Sequence, residues 1–217
     1  DPIMTPDGMI WWAGMWGSIV GRLDPKTSEM TEWKLDPEAQ PHSIINDVEG
    51  NIWYTGNHNG TVGKLDPDTG EITVYPMPDP EARDPHTPVF TRSGDLWFTL
   101  QNSHMIGRLV PDTGDIRLMK TPTEGARPYG LREDSRGMLW VAYRGAPAVA
   151  RIDPDSWEVE EFETPNPNPE SHDGNYYIRR LAIDSSDTIW YVDSGRGYLG
   201  RLTPETGEVE EWMTPSG

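Results

Sequence analysis

A tryptophan returns five times along this chain, as Trp11, Trp53, Trp97, Trp140 and Trp190, each time inside a short apolar phrase. The phrases read MIWW, NIWYT, DLWFT, MLWVA and TIWYV. Each is followed by a second one, IVGRL, TVGKL, MIGRL, AVARI or YLGRL. The steps between the tryptophans are 42, 44, 43 and 50 residues. Self-similarity at this period marks an array in which each unit buries its face by stacking on a neighbour. Apolar runs this short, cut by turn residues, read as strands, and the array reads as the blades of a β-propeller.

The second repeat shows the unit. SIIND (43–47) and IWYTG (52–56) are strands joined by the turn VEGN (48–51), and NHNG (57–60) is a polar loop. TVGKL (61–65) and ITVYPM (72–77) complete a four-stranded antiparallel meander around DPDTGE (66–71). In that turn Pro67 presets φ, Asp66 can bond the turn amides and Gly70 can take a positive φ. The variants DPKTSE, VPDTGD, DPDSWE and TPETGE fill the same place in the other repeats. Their spacing is not the D-x-D-x-D-G pattern of a calcium loop, so they read as hairpins. The first strand of each blade is expected to line a central channel and the fourth to form the rim, where alternating charges blunt the edge.

The expected fold is therefore all-β: one propeller domain of five four-stranded blades of about 43 residues each. The repeats fall approximately at 1–40, 41–84, 85–127, 128–176 and 177–217. Joining the two ends would leave 38 residues between Trp190 and Trp11, shorter than every other step. The five blades thus form either a ring with a trimmed connection or part of a larger ring.

Composition narrows the function. A formal charge of −18 argues against nucleic acid, whose phosphates call for Lys and Arg. With no cysteine there is no disulfide, thiolate zinc site or c-type haem attachment. No stretch is long enough to span a membrane as a helix. The start at Asp1 without methionine suggests a removed leader or further blades, and the expected setting is extracytoplasmic, periplasmic or secreted.

Four segments, PHSIINDVEGNIWYT (41–55), DPHTPVFTRSGDLWFT (84–99), IGRLVPDTGDI (106–116) and RPYGLREDSRGMLWV (127–141), resemble the virginiamycin B lyase (streptogramin B lyase) family. The resemblance implies a propeller of seven blades in members with lyase activity. It also implies a magnesium-dependent elimination that opens a cyclic depsipeptide at its ester. A histidine opening an inner strand would be the base, partnered by a glutamate fourteen residues on. His42 and His86 match the histidine position and are the catalytic candidates. Their partner positions hold Gly56 and Leu100, while Tyr129 leads to Tyr143 and Arg179 to Asp193. No blade holds the His–Glu pair.

Function should then sit where the repeats differ. In a propeller, the loop leading into each inner strand shares a face with the loop between the second and third strands. That face is expected to carry His42, His58, His86, His104 and His172 together with Arg127, Tyr129, Arg144, Tyr177, Arg179, Asp193 and Arg196. Such a set suits a small polar or anionic ligand, or a protein partner. Two readings follow: a non-enzymatic binding or scaffold domain needing no cofactor, or a lyase using magnesium. A zinc held by His42 and His86 would want a third ligand such as Asp193, and the metal stays unassigned. The insertion TPNPNPESHDGNYYIRR (164–180) is either a tolerated surface loop or a lid. Trp16, outside the shared tryptophan position, either packs on the adjacent blade or, if exposed, offers a contact platform. A repeat lectin using the recurring tryptophans is disfavoured because those rings sit in apolar runs.

Overall fold

The computed structural model describes residues 2–165 and 177–215. Each repeat folds into one four-stranded antiparallel sheet, and the five sheets are the blades of an all-β propeller. Blade 1 comprises β1 (Pro2–Met4), β2 (Ile10–Gly14), β3 (Ile19–Leu23) and β4 (Met30–Lys34). Blade 2 comprises β5 (Pro41–Asn46), β6 (Ile52–Gly56), β7 (Thr61–Leu65) and β8 (Ile72–Pro76). Blade 3 runs through β9 (Pro85–Phe90), β10 (Leu96–Leu100), β11 (Met105–Leu109) and β12 (Ile116–Lys120). Blade 4 runs through β13 (Pro128–Glu133), β14 (Leu139–Tyr143), β15 (Ala148–Ile152) and β16 (Val159–Glu163). Blade 5 holds β17 (Ile178–Ile183), β18 (Ile189–Asp193), β19 (Tyr198–Thr203) and β20 (Glu208–Met213). No helix among the described residues is long and apolar enough to cross a membrane.

The chain divides into two compact units. One is Asp1–Phe90, Gly94–Ser103 and Gly107–Leu118; the other is Thr91–Ser93, His104–Ile106 and Met119–Gly217. In the first unit, Trp11, Val20 and Leu35 of the first repeat pack on Ile44, Ile52, Tyr54 and Leu65 of blade 2. In the second, Trp140, Ala142, Val149 and Phe162 of blade 4 pack on Leu181, Ile189, Tyr191 and Leu202 of blade 5. The same face of a blade meets the same face of its successor in both, as stacking repeats require.

The repeated residues prove to be structural. Trp53, Trp140 and Trp190 each donate their indole N–H to the carboxylate of the Asp six residues earlier, at 2.8, 2.9 and 2.9 Å. The same Asp47 carboxylate also takes the amides of Glu49 and Asn51, so one side chain closes the turn and anchors the tryptophan. On the cross-strand neighbour of that tryptophan sits the basic residue of the G-R-L phrase. Arg22, Lys64, Arg108, Arg151 and Arg201 lie 5.6, 5.7, 5.9, 5.8 and 6.0 Å from the Trp11, Trp53, Trp97, Trp140 and Trp190 rings. These five cations serve cation–π contacts and leave the unrepeated arginines as the informative ones.

The hairpin turns form as their residues dictate. Asp66 accepts from the amides of Asp68 and Thr69 at 2.8 and 3.1 Å. The amides of Thr69 and Asp68 hold its carboxyl below the ordinary value of 3.8. Gly70 takes φ +75°, but the equivalent positions in two other turns hold Ser28 at +64° and Trp157 at +65°. An L side chain in that region is strained. Ser28→Gly should therefore stabilise the protein by about 0.5–1 kcal/mol in chemical denaturation; a loss of stability would refute the left-handed turn there.

Candidate functional site

Each inner strand from blade 2 onward carries one extra residue at its start. Register shifts fall between Pro41 and Ile44 on β5, and between Pro128 and Leu131 on β13. The same occurs between Ile178 and Leu181 on β17, and on β9 opposite the Phe98–Leu100 step. Such bulges bend the strand and re-aim a side chain, and they recur beside functional sites. A positive φ precedes three of them, at Gln40, Asp84 and Arg127. His42, His86, Tyr129 and Arg179 all stand in the bulges, and this shared position gives them their place at the strand ends.

In the first unit the bulges bring two histidines together. The His42 and His86 ring centroids are 3.8 Å apart, with the planes inclined by 37°. Each Nδ1 lies 3.0 Å from the hydroxyl of the next residue, Ser43 or Thr87. Thr55 ties the two blades by donating its hydroxyl to the His86 carbonyl at 3.0 Å. His86 is 4 % exposed, and His42 is half-buried. The residue paired with Pro41 is Gly56, and the one paired with Pro85 is Leu100, so no carboxylate stands at either partner position. Asp84, two residues before His86, was not singled out from the sequence. It accepts from the Asn102 amide at 2.8 Å and from the Ser103 hydroxyl at 3.2 Å. Burial pushes its carboxyl above the usual range. Its D-P-H context offered no signal, because only the folded loop removes it from water. His58 lies apart from this pair as an exposed residue 3.2 Å from Glu38.

In the second unit His104 has a positive φ of 55°, and its Nδ1 accepts the Arg127 amide at 3.2 Å. That bond leaves the other ring nitrogen as the proton carrier in the neutral form. The Arg127 carbonyl in turn accepts the Arg144 amide at 3.0 Å. Arg144 and Arg179 place their guanidinium carbons 4.3 and 4.6 Å from the Tyr177 ring centroid. Arg144 also hydrogen-bonds the Tyr177 hydroxyl. Hydrogen bonds from Arg144 and then Arg179 hold that phenol below its ordinary value of 10. Arg144 Nε is buried without a hydrogen-bond partner, and among the described residues neither arginine pairs with a carboxylate. Tyr129 stands half-buried in its bulge. His172 lies outside the described residues, as does most of the insertion.

Asp193 and Arg196 have another role. Arg196 donates Nε–H to Asp193 Oδ2 at 2.5 Å, and its Nη2 to Thr164 at 2.8 Å and Glu211 at 3.2 Å. Asp193 Oδ1 takes the amides of Tyr177, Gly195 and Arg196. Both residues are closed to solvent, at 0 % and 3 % exposure, so a ligand in solution meets neither. Asp193 is thus sealed in its ion pair with Arg196 rather than presented as a third zinc ligand. Among the described residues no three of His, Cys, Asp and Glu gather in a way that could hold a metal ion. The described residues therefore offer no donor set for the magnesium implied by the family resemblance. Trp16 corrects the packing expectation: it is 89 % exposed on a short 3₁₀ turn, Met15–Gly17.

A depression of about 660 Å³ lined by Arg136, Met138, Arg151 and Glu160 also exists in the second unit. It opens on the turn side of blade 4, at the other end of the strands from Arg144, and its Arg151 is engaged with Glu160. We assign the chemistry to the bulge end instead.

The sequence profile described as the virginiamycin B lyase family matches residues 3–217. No curated protein sequence matches the chain. A catalytically inactive variant of virginiamycin B lyase from Staphylococcus aureus, solved with quinupristin, is 26% identical with a TM-score of 0.86. The match covers 99% of this chain and 69% of that one. A streptogramin B lyase is 27% identical with a TM-score of 0.83, over 99% and 68% of the two chains. A chain from a nidogen–laminin complex, 15% identical with a TM-score of 0.68 over 96% and 76%, shares the fold alone.

Proposed function

The chain belongs to the virginiamycin B lyase family, and within that family we propose that it is a binding propeller rather than a catalyst. Its ligand is a small molecule bearing a carboxylate or phosphate, taken by Arg144, Arg179 and Tyr177. The observation that carries this reading is the pair of guanidiniums flanking one tyrosine, with no carboxylate among the described residues to neutralise them. Guanidinium forks bind carboxylate and phosphate oxygens in pairs, and the buried Arg144 Nε is a donor awaiting an acceptor. Against catalysis stand Gly56 and Leu100, the residues paired with the prolines that precede the two histidines, which can neither take nor give a proton. The extracytoplasmic setting belongs to the same proposal, and the charge of −18 suits a soluble binder that does not engage nucleic acid.

A second reading keeps the lyase chemistry, with His42 or His86 as base; the contact of the two rings at 3.8 Å favours it. One set of experiments separates the two. Calorimetric titration with inorganic phosphate should show binding that falls at least tenfold in Arg144→Gln and in Arg179→Gln. Incubation with quinupristin and magnesium should leave the macrocycle closed. Magnesium-dependent ring opening that disappears in His86→Ala would overturn the binding reading, and equal phosphate affinity in all three proteins would remove the arginines from it.

A further inference from the structure

Lysine and arginine are unevenly placed on the inner strands. β1, β5 and β9 hold neither, whereas β13 carries Arg132 and β17 carries Arg179 and Arg180. The two basic strands touch within the second unit, and all three arginines are exposed. A chain of charge −18 thus gathers cations along one seam, although like charges repel at close range. The blade itself does not call for them. Ile45 and Val89 pair with the tryptophan of their blades at the register where Arg132 pairs with Trp140.

The bulge on β17 sets two of these arginines side by side. Ile178 pairs with Asp193 and Leu181 with Tyr191, so Arg179 and Arg180 together span the one residue between, Val192. Gly130 of β13 lies against them: a Cβ there would fall 2.6 Å from the Arg179 carbonyl oxygen and 3.2 Å from Arg180 Cα. Arg132 stands two residues further along β13, about 7 Å at the rise of a strand. Partial removal from water, and then the charge of Arg180, hold its guanidinium below the ordinary value of 12.5. Its side chain donates to the Leu131 carbonyl at 3.0 Å, and among the described residues it pairs with no carboxylate. Glu133, the acid beside it, accepts the Arg92 amide at 3.0 Å instead.

We propose that the ligand of the Arg144–Tyr177–Arg179 site is an elongated dianion, held at one end there and at the other by Arg132, with Arg180 between. The inference rests on the anion-binding reading and narrows it to molecules in which a spacer joins two carboxylates or two phosphates. Each guanidinium can fork onto such a group. Joining two weakly held groups makes the second contact intramolecular, so affinity rises well beyond that of either group alone. A spacer too short to reach Arg132 forfeits that gain.

Calorimetric titration with succinate, adipate and suberate tests this, because the three carry the same charge and differ in length. Affinity should rise at least tenfold from succinate to the better of the longer two. Fructose 1,6-bisphosphate against fructose 6-phosphate repeats the comparison for phosphates, and a tenfold gain in either comparison supports the proposal and identifies the group. Arg132→Gln, with its fold checked by circular dichroism, should abolish the gain. Loss of one positive charge with no bridging role would weaken the three dicarboxylates alike and keep their order, so a gain that survives in Arg132→Gln would overturn the inference. Phosphate binding by the unaltered protein without a gain in either comparison would overturn it too, and leave the anion-binding reading standing. Absence of binding by every one of these anions would overturn both.

Discussion

Arg196→Met should lower the unfolding free energy by about 3–5 kcal/mol in urea denaturation at neutral pH. The arginine bonds both Asp193 and Glu211, and all three side chains are at most 1 % exposed. Removing it leaves two buried carboxylates without this counter-charge, and the cost is chiefly their desolvation rather than a lost attraction. Burial and the neighbouring Glu211 carboxylate also hold the Tyr191 phenol far above its ordinary value, so the tyrosine stays a neutral donor to Glu211. A control lies nearby: Arg201 pairs with Glu210 at 40 % and 42 % exposure. Arg201→Met should cost about 0–1 kcal/mol, because solvent screens that pair. Equal losses from the two substitutions would show that burial is not what distinguishes them.

Gly63→Ala should cost about 2–3 kcal/mol, and the cost should vanish when Tyr54→Val is already present. A Cβ on Gly63 would fall 2.0 Å from Tyr54 Cζ, where no atom fits. The tyrosine is held between blades 1 and 2 and cannot yield without opening that core. The same contact recurs as Gly21 under Trp12, Gly107 under Phe98 and Gly200 under Tyr191, at 2.1, 2.4 and 2.1 Å. Blade 4 alone departs from it, pairing Val141 with Ala150. A smaller side chain on the second strand there makes room for a methyl on the third. The double substitution reproduces that pairing in blade 2. Thermal and urea unfolding of the four proteins should give a coupling of at least about 1 kcal/mol; additive losses would mean that the glycine is needed for its backbone rather than for space.

These two predictions mark different depths of legibility. The glycine of the G-R-L phrase and the aromatic of the second strand were both visible as repeats, and the substitution of both in AVARI and MLWVA was visible too. What was not visible is that they touch, because strand register is set by pairing across the hairpin. Asp193 and Arg196 were read as candidates for a ligand because they are charged, unrepeated and set in loops. Nothing local separates a buried ion pair from an exposed one, and the partner Glu211 and Thr164 lie on other segments of the chain. The same holds for Trp16: alternation fixes which side of a strand a residue takes, but says little of a residue on a 3₁₀ turn. His42 and His86, by contrast, were placed by the repeat itself, since equivalent positions on adjacent inner strands stand side by side.

By itself the sequence determined the strands, the turns and the five-fold order of the blades. Those follow from short-range rules: alternation, the φ of proline and glycine, and a buried tryptophan at a constant interval. Tertiary structure alone decided which charges are sealed in the blade and which guanidiniums flank Tyr177. It also decided which apolar faces are covered. These depend on contacts between residues of different strands and blades, whose free energy comes from excluding water, and no local pattern carries that information.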